Sequence, residues 1–482
     1  MRNSKVFTMM VAGALVTSAL SVGVAEAASA PKQTSKTSST KVKAAKYKVD
    51  SVVVSANGVN VTMKSILVKD VSLYALNDIA QAVGATIKSS QGTITITDAT
   101  AANTIQMNSK SSKYQVNGSS NTFKSAPVVQ DGRTYVELPS IVIALGGEWI
   151  SDASHVNQLL SVKRLTGEFD SLHWDSSDHV IAVKQDETTP KVFRLNKTYH
   201  AELLSINAEV ASMEVSPNGQ WGIYTDDKDR LVLLTLSNGQ VQILGEDTTV
   251  KTDLTWSSDS SKVYFVQGDK QDKISYINVD SATITVVLAD KVENKSEVHL
   301  SADETKLVYI VNITGVAKND NSSSEESLTI DYSGAGAQLY TLDLTTKDAK
   351  PKALTTSNDN KLYPSLLSGG STVYLSADPD DITATNVLKL ISPDGKLQNI
   401  VRNMDVTYAN TSYNGTSIVV GIAHDGQMKV LKLSNEGALQ ELYSTDGNVT
   451  EACLSPDGSQ LALIADGKVI VVVNEQVLEL TQ

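Results

Sequence analysis

Cys453-Leu454-Ser455-Pro456-Asp457-Gly458 is a tight turn written into the sequence. Proline presets its own φ for the turn, aspartate bonds back to local backbone, and glycine accepts the positive φ that closes it. Glu214-Val215-Ser216-Pro217-Asn218-Gly219 is a second strong copy. Weaker copies are Trp256-Ser257-Ser258-Asp259-Ser260, Leu300-Ser301-Ala302-Asp303-Glu304 and Thr411-Ser412-Tyr413-Asn414-Gly415. The most degenerate are His173-Trp174-Asp175-Ser176-Ser177-Asp178 and Leu366-Leu367-Ser368-Gly369-Gly370. With Ser455 as the register, the copies fall at 175, 216, 257, 301, 367, 412 and 455, in steps of 41, 41, 44, 66, 45 and 43.

Each copy continues in the same way. A strand-like run follows the turn, as in Lys262-Val263-Tyr264-Phe265-Val266. A loop leads to a third strand, such as Leu231-Val232-Leu233-Leu234, and Asn238-Gly239 or Asp394-Gly395 then turns the chain into a fourth. Four short strands recurring with a period in the low forties define β-propeller blades. Residues 166–482 are therefore expected to form a propeller of seven blades, with six or eight as alternatives. The turn and the period resemble those of TolB-like and WD-repeat-like propellers. That resemblance implies an architecture and no particular activity, because the fold hosts many.

The long step from 301 to 367 carries an insertion at residues 315–336. Its first part, with Asn319, Asp320, Asn321, Glu325 and Glu326, reads as an exposed polar loop; Leu328-Thr329-Ile330 reads as a brief strand. Long loops on a rigid scaffold often carry recognition. These five residues are the candidate partner-binding set.

Residues 47–165 have a different grammar. Leu76, Ile79, Ala80 and Val83 share one helical face, as do Leu138, Ile141, Val142 and Leu145. Gly84 and Gly146 stand where each helix would end in the left-handed conformation, and Pro139 suits a first turn. Strand-like runs bracket both helices, and Asp131-Gly132 marks a hairpin before the second. Asp131-Gly132-Arg133-Thr134-Tyr135-Val136, then a short helix ending in Leu145-Gly146, then Trp149, resembles the copper amine oxidase N-terminal-like, or stalk, domain. The resemblance departs at Glu137-Leu138-Pro139, where the family usually has Pro-Leu-Arg. It implies an appendage of the kind found on secreted Gram-positive proteins. In the oxidases, copper and the tyrosine-derived cofactor lie in a separate catalytic domain. The expected fold is thus mainly β: a small α+β stalk-like domain followed by a propeller.

Arg2 and Lys5, an apolar run from Val6 to Val24, and Ala25-Glu26-Ala27 read as a signal peptide over residues 1–27, cleaved after Ala27. Residues 28–46 carry Lys32, Lys36, Lys41, Lys43 and Lys46 with no acid among them, and read as a flexible linker. No later stretch reads as a transmembrane segment. The expected location is extracellular, with wall association through the basic linker as one option. The precursor has 41 basic and 54 acidic residues, which argues against nucleic acid as a partner.

No nucleophile elbow, phosphate loop or zinc-protease helix is present. The six histidines lack a close pair; His173 and His179 are nearest. Asp226-Asp227-Lys228-Asp229 and Asp378-Pro379-Asp380-Asp381 lack EF-hand spacing and read as solvated turns. Cys453, the only cysteine, lies among alternating apolar residues and reads as a buried thiol. No catalytic, cofactor or metal residue is assigned. The sequence reads as a non-enzymatic binding or scaffolding protein that recognises an extracellular or cell-wall protein or polymer through rim loops. The alternative is a calcium-dependent hydrolase or lyase, acting on phosphoesters or polysaccharides, with its site in the central channel. N-terminal sequencing of exported protein is expected to begin at Ala28; a chain starting at Met1 in the cytosol would contradict this.

Overall fold

In the computed structural model, which describes residues 47–482 except 152–156, 177, 187, 320–327, 332–334, 402 and 436, the repeat serine pins its turn. Ser455 Oγ donates to Asp457 Oδ1 at 2.6 Å and accepts the Gln460 N–H at 3.0 Å. Gly458, at φ +71°, closes onto the Ser455 carbonyl at 2.7 Å. The same hydroxyl-to-side-chain bond recurs at Ser216–Asn218, Ser257–Asp259, Ser301–Asp303 and Ser412–Asn414. Ser392-Pro393-Asp394-Gly395 is a full copy of the motif, yet it joins the third and fourth strands of its sheet. The period, and not the motif alone, places the blades.

Among the described residues, seven four-stranded antiparallel sheets succeed one another, at 169–205, 214–243, 251–288, 295–353, 360–399, 404–445 and 449–479. They are called blades 1 to 7 below. Each turn serine, or its substitute, follows the innermost strand. Blade 2 has the shortest inner strand, Glu214–Val215, because the 3-10 turn Ala208–Ser212, capped by Asn207, takes up the preceding residues. In blade 4, Val316–Asn319 pairs with Leu328–Asp331 as an extra hairpin between the second and third strands. Part of the insertion read as loop is therefore strand: Asn319 ends the first arm, in register with Leu328. Asp320, Asn321, Glu325 and Glu326 lie outside the described residues, as do the signal and linker segments of residues 1–46.

A separate apolar cluster fills every gap between neighbouring blades, such as Ile181, Val215 and Leu234 between blades 1 and 2. Further clusters bridge blades 2 to 7 in order. The last joins Cys453, Ile464 and Val471 of blade 7 to Phe169, Leu172 and Trp174 of blade 1, and so closes the ring. Trp174 Nε1 donates to the Cys453 carbonyl at 3.2 Å, and Trp256 Nε1 makes the equivalent bond to the Glu214 carbonyl at 2.9 Å. Cys453 is a buried thiol inside this closing cluster.

Six residues before the turn position, blades 3, 4 and 5 carry Lys251, Lys295 and Lys361, whose side chains are almost wholly buried. Each ammonium fills a loop that leads into its blade. Lys251 Nζ donates to Asp247 Oδ1 at 3.0 Å and to the Asp229 and Thr249 carbonyls at 3.0 and 2.7 Å. Lys295 Nζ meets Asp290 Oδ1 at 2.7 Å and the Asp272 and Val292 carbonyls. Lys361 Nζ meets the Asp359 carboxylate and the Ser357 carbonyl. These cations complete backbone acceptors that a tight loop cannot pair within itself.

Residues ahead of the propeller form a seven-stranded and a five-stranded sheet around two short helices, Leu76–Val83 and Leu138–Ala144. Ile79, Ile96, Val136 and Ile141 lie at the centre of that core. Each helix follows a hairpin whose two turn residues have positive φ: Lys69-Asp70 for the first, Asp131-Gly132 for the second. Gly84 and Gly146, at φ +69° and +83°, end the helices. Glu137, the departure from the stalk motif, is buried and receives the Ser140 hydroxyl and the Ser125 N–H. Arg164 ties this region to the ring. It meets Glu148 at 2.8 Å, Glu479 of blade 7 at 3.0 Å and the Thr481 carbonyl at 3.4 Å. Beside it Leu165 bridges Thr481 in parallel.

Removing a buried cation strands its acceptors. Lys295→Met is expected to cost about 3 kcal/mol in urea unfolding. Lys270→Met, which breaks the exposed pair with Glu293, should leave stability essentially unchanged. Equal effects would show that the buried lysine is dispensable.

Candidate functional site: the central channel

The inner strands run side by side in one direction, so residues at one repeat phase form one layer around the axis. Four residues before the turn position stand Ser171, Asp253, Glu297, Tyr363, Tyr408 and Glu451. Two residues before it stand His173, Glu214, Thr255, His299, Ser365, Asn410 and Cys453. Register shifts interrupt the inner strand at the first of these layers in six blades. Ser171, Asp253, Glu297 and Tyr363 themselves have φ between +49° and +54°. Non-glycine residues seldom adopt that region, and here four do so at one phase while carrying polar side chains.

The bulges also clasp blade to blade. Asp253 Oδ1 accepts the Glu297 N–H at 2.9 Å, Glu297 Oε2 accepts the Tyr363 N–H at 3.1 Å, and Glu451 Oε1 accepts the Leu172 N–H at 3.1 Å. Each carboxylate spends one oxygen on the ring. Its second oxygen has no protein partner among the described residues. The side chains of Glu214 and His299 have no hydrogen-bond partner among those residues, and both are half-buried on the inner strands. Tyr363 and Tyr408 stack edge to face, with centroids 5.1 Å apart.

Burial pushes the Glu297 carboxyl up to about 7, and Asp253 beside it adds to the rise, against the Tyr363 N–H. Burial raises Glu214 and Glu451 as well, opposed in both by His173. Burial pulls His299 down to about 4, so its imidazole is neutral at physiological pH. At the turn-side end, Tyr413 of blade 6 reaches across the axis, and its hydroxyl donates to the Val215 carbonyl of blade 2 at 3.3 Å. That ring caps a cleft lined by Thr255, Trp256, His299, Ser365 and Thr411.

His173 and His179 do not come together. His173 faces Ser171 in the inner strand, whereas His179 begins the second strand and contacts Ser176 at 3.1 Å. His155 lies outside the described residues. Among the described residues no group of three or more His, Cys, Asp or Glu side chains is placed to hold a metal ion. Among the described residues no helix is long and apolar enough to cross a membrane. The channel acids lie ahead of the turn motif that marks each blade, so the motif itself does not point to them. Reading backward by four puts Asp253, Glu297 and Glu451 at one phase.

Residues 53–157 match the family model described as the copper amine oxidase N-terminal domain. No curated protein sequence matches the chain. Solved structures with similar coordinates include an oligogalacturonate lyase in complex with manganese, 14% identical over 66% of this chain and 86% of that one, with a TM-score of 0.46. A putative TolB from Agrobacterium tumefaciens is 14% identical over 54% and 92%, with a TM-score of 0.37. TolB from Acinetobacter baumannii is 13% identical over 61% and 76%, with a TM-score of 0.35. The chain thus pairs a copper amine oxidase N-terminal-type domain with a β-propeller.

Between the ordinary carboxyl value of 4.5 and about 7, folded Glu297 keeps a proton that the unfolded chain has released. Its contribution to stability is therefore largest below that window, falls as pH rises through it, and is flat above it. Glu297→Gln is expected to stabilise the protein at pH 8 relative to its effect at pH 4 by about 3 kcal/mol, read by urea unfolding. An equal effect at both pH values would refute the burial of this charge.

Proposed function

We propose that this protein works outside the cytoplasm as a non-enzymatic binding protein, and that the channel mouth opposite the turn serines receives its partner. The observation that carries this reading is the layer formed by Asp253, Glu297, Tyr363 and Glu451. It places polar side chains from several blades at one opening, three of them (Asp253, Glu297 and Tyr363) on strained backbone, with one oxygen of each of the three carboxylates unpaired among the described residues. Strained backbone of this kind gathers where side chains must be aimed. The insertion of blade 4 leaves its sheet on the same rim, since second-to-third strand connections all lie where the inner strands begin. Asn319, Asp320, Asn321, Glu325 and Glu326 of that insertion are proposed as further partner contacts. Export and wall association, read from the N-terminal segment and the stalk-type domain, belong to the same proposal.

One observation favours the channel enzyme instead. A carboxyl held near 7 two residues from a neutral imidazole is what general acid–base chemistry uses. The two readings separate in one pair of measurements. A photo-crosslinking residue in place of Leu362, at the mouth, is expected to capture a defined envelope component, and one in place of Asn414, on the turn side, is expected to capture none. Purified protein is expected to leave wall polysaccharides and phosphoesters uncut with calcium present. Turnover that Glu297→Gln abolishes would replace binding with catalysis.

A further inference from the structure

The rim that surrounds this mouth has a chemistry of its own. Ile382, in the loop between the second and third strands of blade 5, is 97% exposed, and Ile206, in the connection from blade 1 to blade 2, is 64% exposed. Val292, Leu362, Tyr363 and Ile422 are exposed on the same rim. Between these apolar points the rim loops carry Asp227, Asp269, Asp378, Asp380, Asp425 and Asp446. The buried lysines of this rim are paired with Asp247, Asp290 and Asp359, and the exposed Lys228, Lys270 and Lys291 on the same loops are outnumbered by the acids. Inside the channel, the half-buried Glu214 carboxylate has no hydrogen-bond partner among the described residues, and Asp253, Glu297 and Glu451 each present one free oxygen. Two tyrosine rings, Tyr363 and Tyr408, stand beside them.

Resting on the binding reading, we propose that the occupant is a lysine- or arginine-bearing segment of a partner polypeptide, its basic side chain in the channel and its apolar neighbours on the rim. Three properties select it. An unpaired carboxylate in a narrow lumen is satisfied by an ammonium or guanidinium, and such charge-assisted bonds are stronger than neutral ones. Tyrosine faces attract cations. Exposed isoleucine and leucine around a polar opening suit alternating apolar residues, which a cationic glycan lacks. The acidic rim raises the encounter rate of a positive segment and repels an acidic one.

The test uses the exported full chain and three fluorescent probes: a six-residue peptide alternating leucine and lysine, the same peptide with glutamate for lysine, and a glucosamine hexamer. The leucine–lysine peptide is expected to bind at least about tenfold more tightly than either other probe, and about tenfold more weakly in 0.5 M salt than in 0.05 M. Asp253→Asn with Glu297→Gln is expected to lose at least about tenfold of that affinity, whereas Asp394→Asn, on the turn side, keeps it. Matching circular dichroism and melting curves separate lost binding from lost folding, and Glu451→Gln serves as the second variant if the double one does not fold. Tighter binding of the hexamer would assign the mouth to an amino-sugar polymer and overturn the peptide inference while sparing the binding reading. Equal binding of both peptides would overturn the charge argument. A peptide affinity unchanged by the channel substitutions would overturn the site.

Discussion

Ring closure is the constraint on which the molecule depends. A blade has two apolar faces and cannot bury either alone, so each is stable only between two neighbours. The cluster of Cys453, Ile464 and Val471 with Phe169, Leu172 and Trp174 removes the last two bare faces at once. Everything that brings residue 169 beside residue 453 therefore supports the whole ring. Arg164 is central to this. It sits where the chain enters the propeller and bonds to Glu479 and Thr481 at the far end of it. Glu148, on its other side, makes the N-terminal region part of the closure.

Closure also explains why the channel is polar and strained. Inner strands crowd as they approach the axis, and a bulge at one phase bends each aside and frees an N–H. The acid of the preceding blade takes that N–H in three places, so a structural need puts carboxylates in the lumen. A carboxylate has more acceptor capacity than one N–H uses. The surplus faces the axis, where burial raises Glu214, Glu297 and Glu451. Function at this site would thus exploit what assembly leaves over.

The two regions handle buried charge differently. Blades 3 to 5 sink Lys251, Lys295 and Lys361 into loop carbonyls and pair each with an aspartate, which leaves nothing for a ligand. The channel does the opposite, holding acids with no cation paired to them among the described residues. Glu137 of the N-terminal region is a third case, a buried acid satisfied by a hydroxyl and an N–H.

Much of the architecture is legible in the chain itself, because it rests on local chemistry. Ser-Pro-Asp-Gly encodes its turn through one hydroxyl, one proline φ and one glycine φ. The apolar spacing of Leu76–Val83 and Leu138–Ala144 encodes two helices, and Asp131-Gly132 encodes a hairpin. Repetition turned these local signals into blades and even contained the phase of Asp253, Glu297 and Glu451. The repeat could not show its own exception at 392–395, where the same four residues serve a different turn, because a turn is indifferent to which strands it joins. Nor could it show the channel. Glu451 meets Leu172, and Tyr413 meets Val215, across hundreds of residues, and only ring closure decides those neighbours. Titration behaviour has the same origin. Glu297 differs from an exposed glutamate through desolvation and the approach of Asp253, and both are set by the tertiary structure.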